Sequence, residues 1–251
     1  MDLGLNNKVY VLTGGTRGLG YAVARELVAD GAKVVITGRD EKRAAESAAE
    51  LGPNATGVAV DNSDPRAPRQ LIASARELYG SFDGILISVG GPPAGETTAT
   101  TDEQWQAAFE SVFLGAVRLA RAAAEELEAG GVIGFVLSGT AHEPAPGMAI
   151  SNGLRPGLAG FAKSLADELG PRGIRVLGVL PGRIATDRMR DLDALSPDPD
   201  ARRATNEAAI PLGRYGTPEE FGRAGAFLLS PAASYVTGVM VSVDGGARHG
   251  F

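Results

Sequence analysis

The 251-residue sequence has no cysteine, only two histidines, and no apolar run approaching the roughly 18 residues of a membrane-spanning helix. The missing cysteine excludes a disulfide framework, a thiolate metal site and a cysteine nucleophile. His142 and His249 alone do not make a histidine-based metal centre, so no metal is expected. Positive charge is also short: 24 Lys and Arg stand against 30 Asp and Glu, a formal net charge of -6. That balance speaks against nucleic acid or an anionic membrane as the main partner. The opening stretch MDLGLNNKVYVLTGG has no basic region followed by an apolar stretch and a cleavage site, so a soluble cytoplasmic protein is the expectation.

What is present is glycine, 35 residues of it, within a 44% apolar composition too rich for a disordered chain. Short apolar runs (KVYVLTG, AKVVITG, GVAVD, GILIS, VIGFVLS, IRVLGVL, VMVSVDG) alternate with longer segments of helical period. This is the pattern of βαβ units, and it predicts one α/β domain over residues 1–251, doubly wound around a seven-stranded parallel sheet with helices on both faces. Leu19, Val23 and Leu27 stripe a first helix ended by Gly31, Asp40 reads as the N-cap of a second, and Pro65 after Asp64 marks the start of a third. Thr101 and Gln104 form a capping box for a fourth, expected to be the longest, running to about Gly130. Residues 183–214 lack a strand, and a substrate lid is expected there.

The first strand ends in Thr13-Gly-Gly-Thr-Arg-Gly-Leu-Gly20 before an amphipathic helix. Gly14, Gly18 and Gly20 let backbone approach a pyrophosphate, and the helix N-terminus offers amide donors and a favourable dipole. After the second strand comes Gly38-Arg39 where a ribose-binding acid would otherwise stand. Arg39 and Arg17 would face a 2′-phosphate, and Asp40 is better explained as an N-cap, so the expected cofactor is NADP(H).

With this loop in the TGxxxGxG pattern, the whole chain resembles the short-chain dehydrogenase/reductase family, most closely its β-ketoacyl-carrier-protein-reductase-like members. The resemblance implies a doubly wound Rossmann domain, usually a homotetramer, acting on a small-molecule substrate. It implies cofactor contacts from Gly14, Thr16, Arg17, Gly18, Leu19 and Gly20, and adenine contacts from Asp61 and its neighbour Asn62. Gly90 ends the family's N-N-A-G segment, here Ile87-Ser-Val-Gly90. Pro181, Gly182, Ile184 and Thr186 fall near the nicotinamide, and Asp244-Gly245-Gly246 closes the last strand in the family manner.

The family's catalytic Asn, Ser, Tyr and Lys are matched at one position only. Ser138 aligns with the serine; Val112 stands for the asparagine, Ser151 for the tyrosine and Arg155 for the lysine, so YxxxK reads SNGLR. No tyrosine lies between positions 80 and 214, so no shift of alignment restores it. Ser138 and Ser151 are then expected to hold a carbonyl oxygen, Arg155 to keep a ribose hydrogen bond, and a water or His142 to supply the proton. Pro156 is expected either to disfavour helix at Arg155 or to lie in a first helical turn. Arg183 and Arg188 either recognise an anionic substrate or, the preferred expectation, pair at the surface with Asp187, Asp191 and Asp193. Trp105, Phe109, Phe113, Leu114 and Val117 give the fourth helix more apolar surface than one sheet contact covers, which points to self-association. The expected function is an NADP(H)-dependent oxidoreductase on a carbonyl or alcohol with a non-standard tetrad. The alternatives are a catalytically inactive NADP(H)-binding sensor and non-redox chemistry on the same scaffold.

Overall fold

Alternation along each central strand builds two cores at once. In the computed structural model, which describes residues 1–250, β1 is Val9–Leu12 and all four of its residues are buried. Val9 and Val11 face one side of the sheet, with Val35, Ile85 and Ile87; Tyr10 and Leu12 face the other, with Val34, Ile36 and Leu86. A strand covered on both faces is what a parallel sheet requires. The remaining strands are β2 (Lys33–Gly38), β3 (Ala55–Ala59), β4 (Gly84–Ser88), β5 (Val132–Val136), β6 (Arg175–Pro181) and β7 (Met240–Val243). They pair in parallel in the order β3-β2-β1-β4-β5-β6-β7, with Val11 opposite Val35 on one side and Ile85 on the other. The strand order reverses between β1 and β4, so a crevice opens at their carboxyl ends.

Helices α1 (Gly18–Ala29) and α9 (Pro218–Leu229) cover one face. Helices α3 (Ala67–Tyr79), α5 (Gly115–Glu126) and α6 (Ala149–Leu169) cover the other. Helix α2 (Glu41–Leu51) begins at Asp40, whose carboxylate accepts from the Arg43 amide, as the sequence indicates. The capping box of Thr101 and Gln104 also forms, at the start of α4 (Asp102–Ala108).

Three local expectations are corrected. Helix α3 starts at Ala67 with Pro68 in its first turn, because Asp64 turns back to accept from the Arg66 amide and leaves Pro65 in the preceding turn. The fourth helical segment is not one long helix: α4 passes into a π-helical stretch, Phe109–Leu114, before α5, which stops at Glu126. The longest helix is instead α6, 21 residues. Pro156 lies inside α6, beyond its first turn, and Arg155 is helical nonetheless. The buried stripe of Ile150, Leu154, Leu158, Ala162 and Leu165 holds α6 on the sheet on both sides of the proline, which offsets the lost backbone hydrogen bond. Within residues 183–214 the chain forms two short helices, α7 (Asp187–Asp193) and α8 (Pro199–Ala208).

Candidate active site

The glycine loop is anchored across the β1/β4 crevice. The Thr13 hydroxyl donates to the Ser88 carbonyl at 3.2 Å and accepts from the Ser88 amide at 2.9 Å. Gly14 has φ +58°, and a Cβ there would lie 2.4 Å from the Ser88 carbonyl oxygen, so only glycine serves. Arg17 precedes α1 with extended backbone and makes no side-chain cap, and among the described residues no side chain satisfies the first-turn amides at Gly18, Leu19 and Gly20. An uncapped helix start of this kind has the donors and dipole to attract an anion. An open recess of about 360 Å³ lined by Thr16, Arg17, Gly18, Arg43 and Ser47 lies on one side. A second of about 230 Å³ lies between Gly18, Ala185 and Thr186 on the other. The structure thus brings Thr186 to Gly18 of the glycine loop; Thr186 is also the N-cap of α7.

At the ends of β2 and β3, Arg39 is exposed, and Asp40 is engaged as the cap of α2. Asp61 accepts from the Ser63 amide and hydroxyl, and these bonds hold its carboxyl below the usual range. Beside it the Asn62 side-chain oxygen is buried with no hydrogen-bond partner. Arg43 was not singled out from sequence, although its place in the first turn of α2 is a signal that could have found it.

The residues expected at the catalytic end make contacts within the fold. Ser138 follows β5, and its oxygen accepts from the Thr140 amide at 3.2 Å. Ser151, 2% exposed, sits on α6 with its hydroxyl 2.8 Å from that of Thr140. Thr140 therefore stands between the two serines, and no sequence pattern marks it. Val112 occupies the π-helical stretch and is buried in the core. Arg155, 4% exposed, donates from Nη1 to the Val136 carbonyl at 3.0 Å and from Nη2 to the carbonyls of Val89 and Gly90 at 3.4 and 3.3 Å. Burial, and then the like charge of Arg188, push its pKa down to about 10, so it stays a cation at neutral pH. His142 is exposed in the loop after Ser138, and burial together with Arg248 lowers its pKa.

Pro181 ends β6, and Gly182 lies against Asp244, where a Cβ would come 2.5 Å from the Asp244 side chain. Ile184 is buried and bridges to Gly216. The preferred expectation for Arg183 and Arg188 is corrected. Arg188 donates to the Pro92 carbonyl at 2.8 Å, Arg183 approaches only the Met189 sulfur, and it is Arg190 that pairs with Asp187. The reason is direction: Arg188 leaves the first turn of α7 toward the β4 loop, away from the acidic surface.

Residues 14–248 match the family described as Enoyl-(Acyl carrier protein) reductase. The 3-oxoacyl-[acyl-carrier-protein] reductase of Salmonella typhimurium is 34% identical over 249 residues, covering 97% of this chain and 98% of that protein. The L-rhamnose 1-dehydrogenase (NAD(P)(+)) of Azotobacter vinelandii is 35% identical over 253 residues, covering 96% and 97%. The crystal structure of a short-chain dehydrogenase/reductase from Brucella melitensis, titled a glucose/ribitol dehydrogenase, superposes with a TM-score of 0.92 at 30% identity over 100% of both chains. A glycine loop at the switch point of a seven-stranded parallel sheet and full-length similarity of this kind have one common source: the chain belongs to the short-chain dehydrogenase/reductase family of oxidoreductases.

Proposed function

We propose that the protein is a cytoplasmic NADP(H)-dependent oxidoreductase that interconverts a carbonyl and an alcohol with a non-standard tetrad. The observation that carries the reading is the uncapped, glycine-lined start of α1 at the β1/β4 crevice. The residues fit a dinucleotide: the buried, unpartnered Asn62 oxygen suits the adenine amino group, and the first-turn amides of α1 suit the pyrophosphate. Asp40 is held as a helix cap, Arg17 lines the recess and Arg39 is exposed at the end of β2, which favours a 2′-phosphate over a free 2′-hydroxyl. Gly90, Pro181, Gly182, Ile184 and Thr186 would line the nicotinamide end. The nicotinamide, when bound, supplies or accepts the hydride.

Ser138 uses its oxygen as an acceptor for Thr140, which leaves its own O–H to donate to a substrate oxygen as negative charge develops there. Ser151 supports this arrangement through Thr140. A water or His142 delivers the proton, and Arg155 contributes a fixed positive charge beneath the site. The 183–214 segment acts as the lid, tied to the β4 loop through Arg188. Lacking the family's tyrosine, the protein turns over ordinary ketones slowly, since general acid help is worth about a hundred- to ten-thousand-fold. We further propose a homotetramer that buries the aromatic surface around Phe109 and the β7 edge.

The internal engagement of Ser151 and Arg155 favours one competitor, an NADP(H)-binding sensor that performs no turnover. Initial rates of NADPH oxidation with aldehydes, ketones and acyl thioesters, set beside NADPH binding followed by fluorescence, separate the two. Turnover that falls on Ser138→Ala supports the oxidoreductase; binding with no turnover on any member of the panel supports the sensor.

A further inference from the structure

Two arginines from different helices hold the segment that follows β4. From α6, Arg155 donates to the carbonyls of Val89 and Gly90 and, through its other terminal nitrogen, to Val136 at the end of β5. From α7, Arg188 donates to the carbonyl of Pro92. The Arg188 guanidinium lies over Gly91, where a Cβ would come within 2.8 Å of Nη2, 2.9 Å of Nε and 3.0 Å of Cζ. A side chain at 91 would therefore displace the guanidinium from this position. Further along, Gly95 exchanges backbone hydrogen bonds with the start of α6 at Gly147 and Ala149, so the loop is fastened at a third point.

Only a planar fork does what Arg155 does here. Its two terminal nitrogens reach carbonyls of two separate segments, the end of β5 and the loop after β4, whereas an ammonium is a single point with three rotatable donors. A buried guanidinium with no carboxylate partner is costly, and backbone carbonyls are what offset that cost here. The two terminal nitrogens are thus committed to the fold, and the Nε is buried with no partner of its own.

We propose that Arg155 and Arg188 are positioning residues, an arginine clamp built from two helices that fixes the Val89–Pro92 backbone and couples the lid segment to it, so that Arg155 acts on a bound dinucleotide through this loop. The affinity arm of this inference rests on the dinucleotide reading above; the exchange arm does not.

The test compares the full-length parent with Arg155→Met, Arg155→Lys, Arg188→Gln and Gly91→Ala. Amide hydrogen exchange of residues 86–100 is measured without ligand, and NADPH affinity by calorimetry. The clamp predicts faster exchange of this segment in both Arg155 variants. It also predicts NADPH affinity lower by about tenfold or more, because lysine cannot span both the end of β5 and the loop after β4. Arg188→Gln and Gly91→Ala should raise exchange in the same segment and in 183–195, with an affinity loss on the order of threefold. Parent-like exchange and affinity in Arg155→Lys, with loss in Arg155→Met, would overturn the proposal by showing that the cation itself meets the ligand. Unchanged exchange in Arg155→Met would also overturn it. If neither Arg155 variant folds, Arg188→Gln and Gly91→Ala decide: unaltered exchange in both refutes the clamp. A parent that binds no NADPH counts against the dinucleotide reading, while ligand-free exchange still judges the clamp.

Discussion

The Ser151 hydroxyl lies 2.8 Å from the Thr140 hydroxyl, and both residues are buried. The position that the sequence resemblance sets against a proton-donating tyrosine thus holds a small side chain facing a neighbour in the fold. Removing one partner leaves the other hydroxyl buried and unpaired, at a cost of about 1–3 kcal/mol, whereas removing both is nearly neutral. Thr140→Val and Ser151→Ala should each destabilise the protein, and the double variant should cost clearly less than their sum. Urea denaturation of the four proteins measures this directly.

Restoring the family pair tests what the substitutions took away. Ser151→Tyr with Arg155→Lys should raise kcat for ketone reduction by about tenfold or more, since a phenol supplies the missing acid. The same change removes the fork that holds Val89 and Gly90, so the KM for NADPH should rise in parallel. Steady-state kinetics with both substrates varied resolves the two effects.

Cofactor choice turns on the end of β2. Arg39→Ala should weaken NADPH binding by about tenfold or more, the worth of a charge-assisted contact, and leave NADH binding within about threefold. Titration of each nucleotide by fluorescence reads this out, and equal losses would reject the assignment to a 2′-phosphate.

Acid lability should trace in part to α9. Glu220 completes the capping box with Thr217 and pairs with Arg214, and chiefly through Arg214 its pKa falls from 4.5 to about 2. A carboxylate lowered on folding stabilises the fold above its unfolded value, and that contribution is lost as pH falls from 4.5 toward 2. Glu220→Gln keeps an acceptor for the Thr217 amide and gives up the charge. Its Tm should lie below that of the parent at pH 7, and the gap should close as pH approaches 2.

Assembly is expected to use the aromatic surface beside α4. Phe109 is 44% exposed and stacks on the partly buried Phe113 with ring centroids 5.3 Å apart, so the Phe109 ring leaves apolar surface uncovered in the single chain. Phe109→Glu should convert a tetramer into smaller species by multi-angle light scattering without loss of the far-ultraviolet circular dichroism signal. A parent that is monomeric at micromolar concentration would refute the tetramer.

The sequence by itself determined the seven strands, the glycine loop at the end of β1, the N-cap at Asp40 and the box at Thr101, because each depends on periodicity or turn chemistry within a few residues. It also determined that no tyrosine lies between positions 80 and 214, since an absence of that kind needs no fold to be read. Tertiary structure alone decided what the replacements do. Arg155 meets carbonyls 19, 65 and 66 residues away, and Arg188 meets one 96 residues away, brought together only when β4 and β5 pair side by side. The buried Asn62 oxygen, the helical path through Pro156 and the π-helical turn at Phe109–Leu114 are of the same kind. Local propensity opposed or ignored each of them, and packing of the helices against the sheet outweighed it, because burial over a whole helix face exceeds the cost of one unfavourable residue.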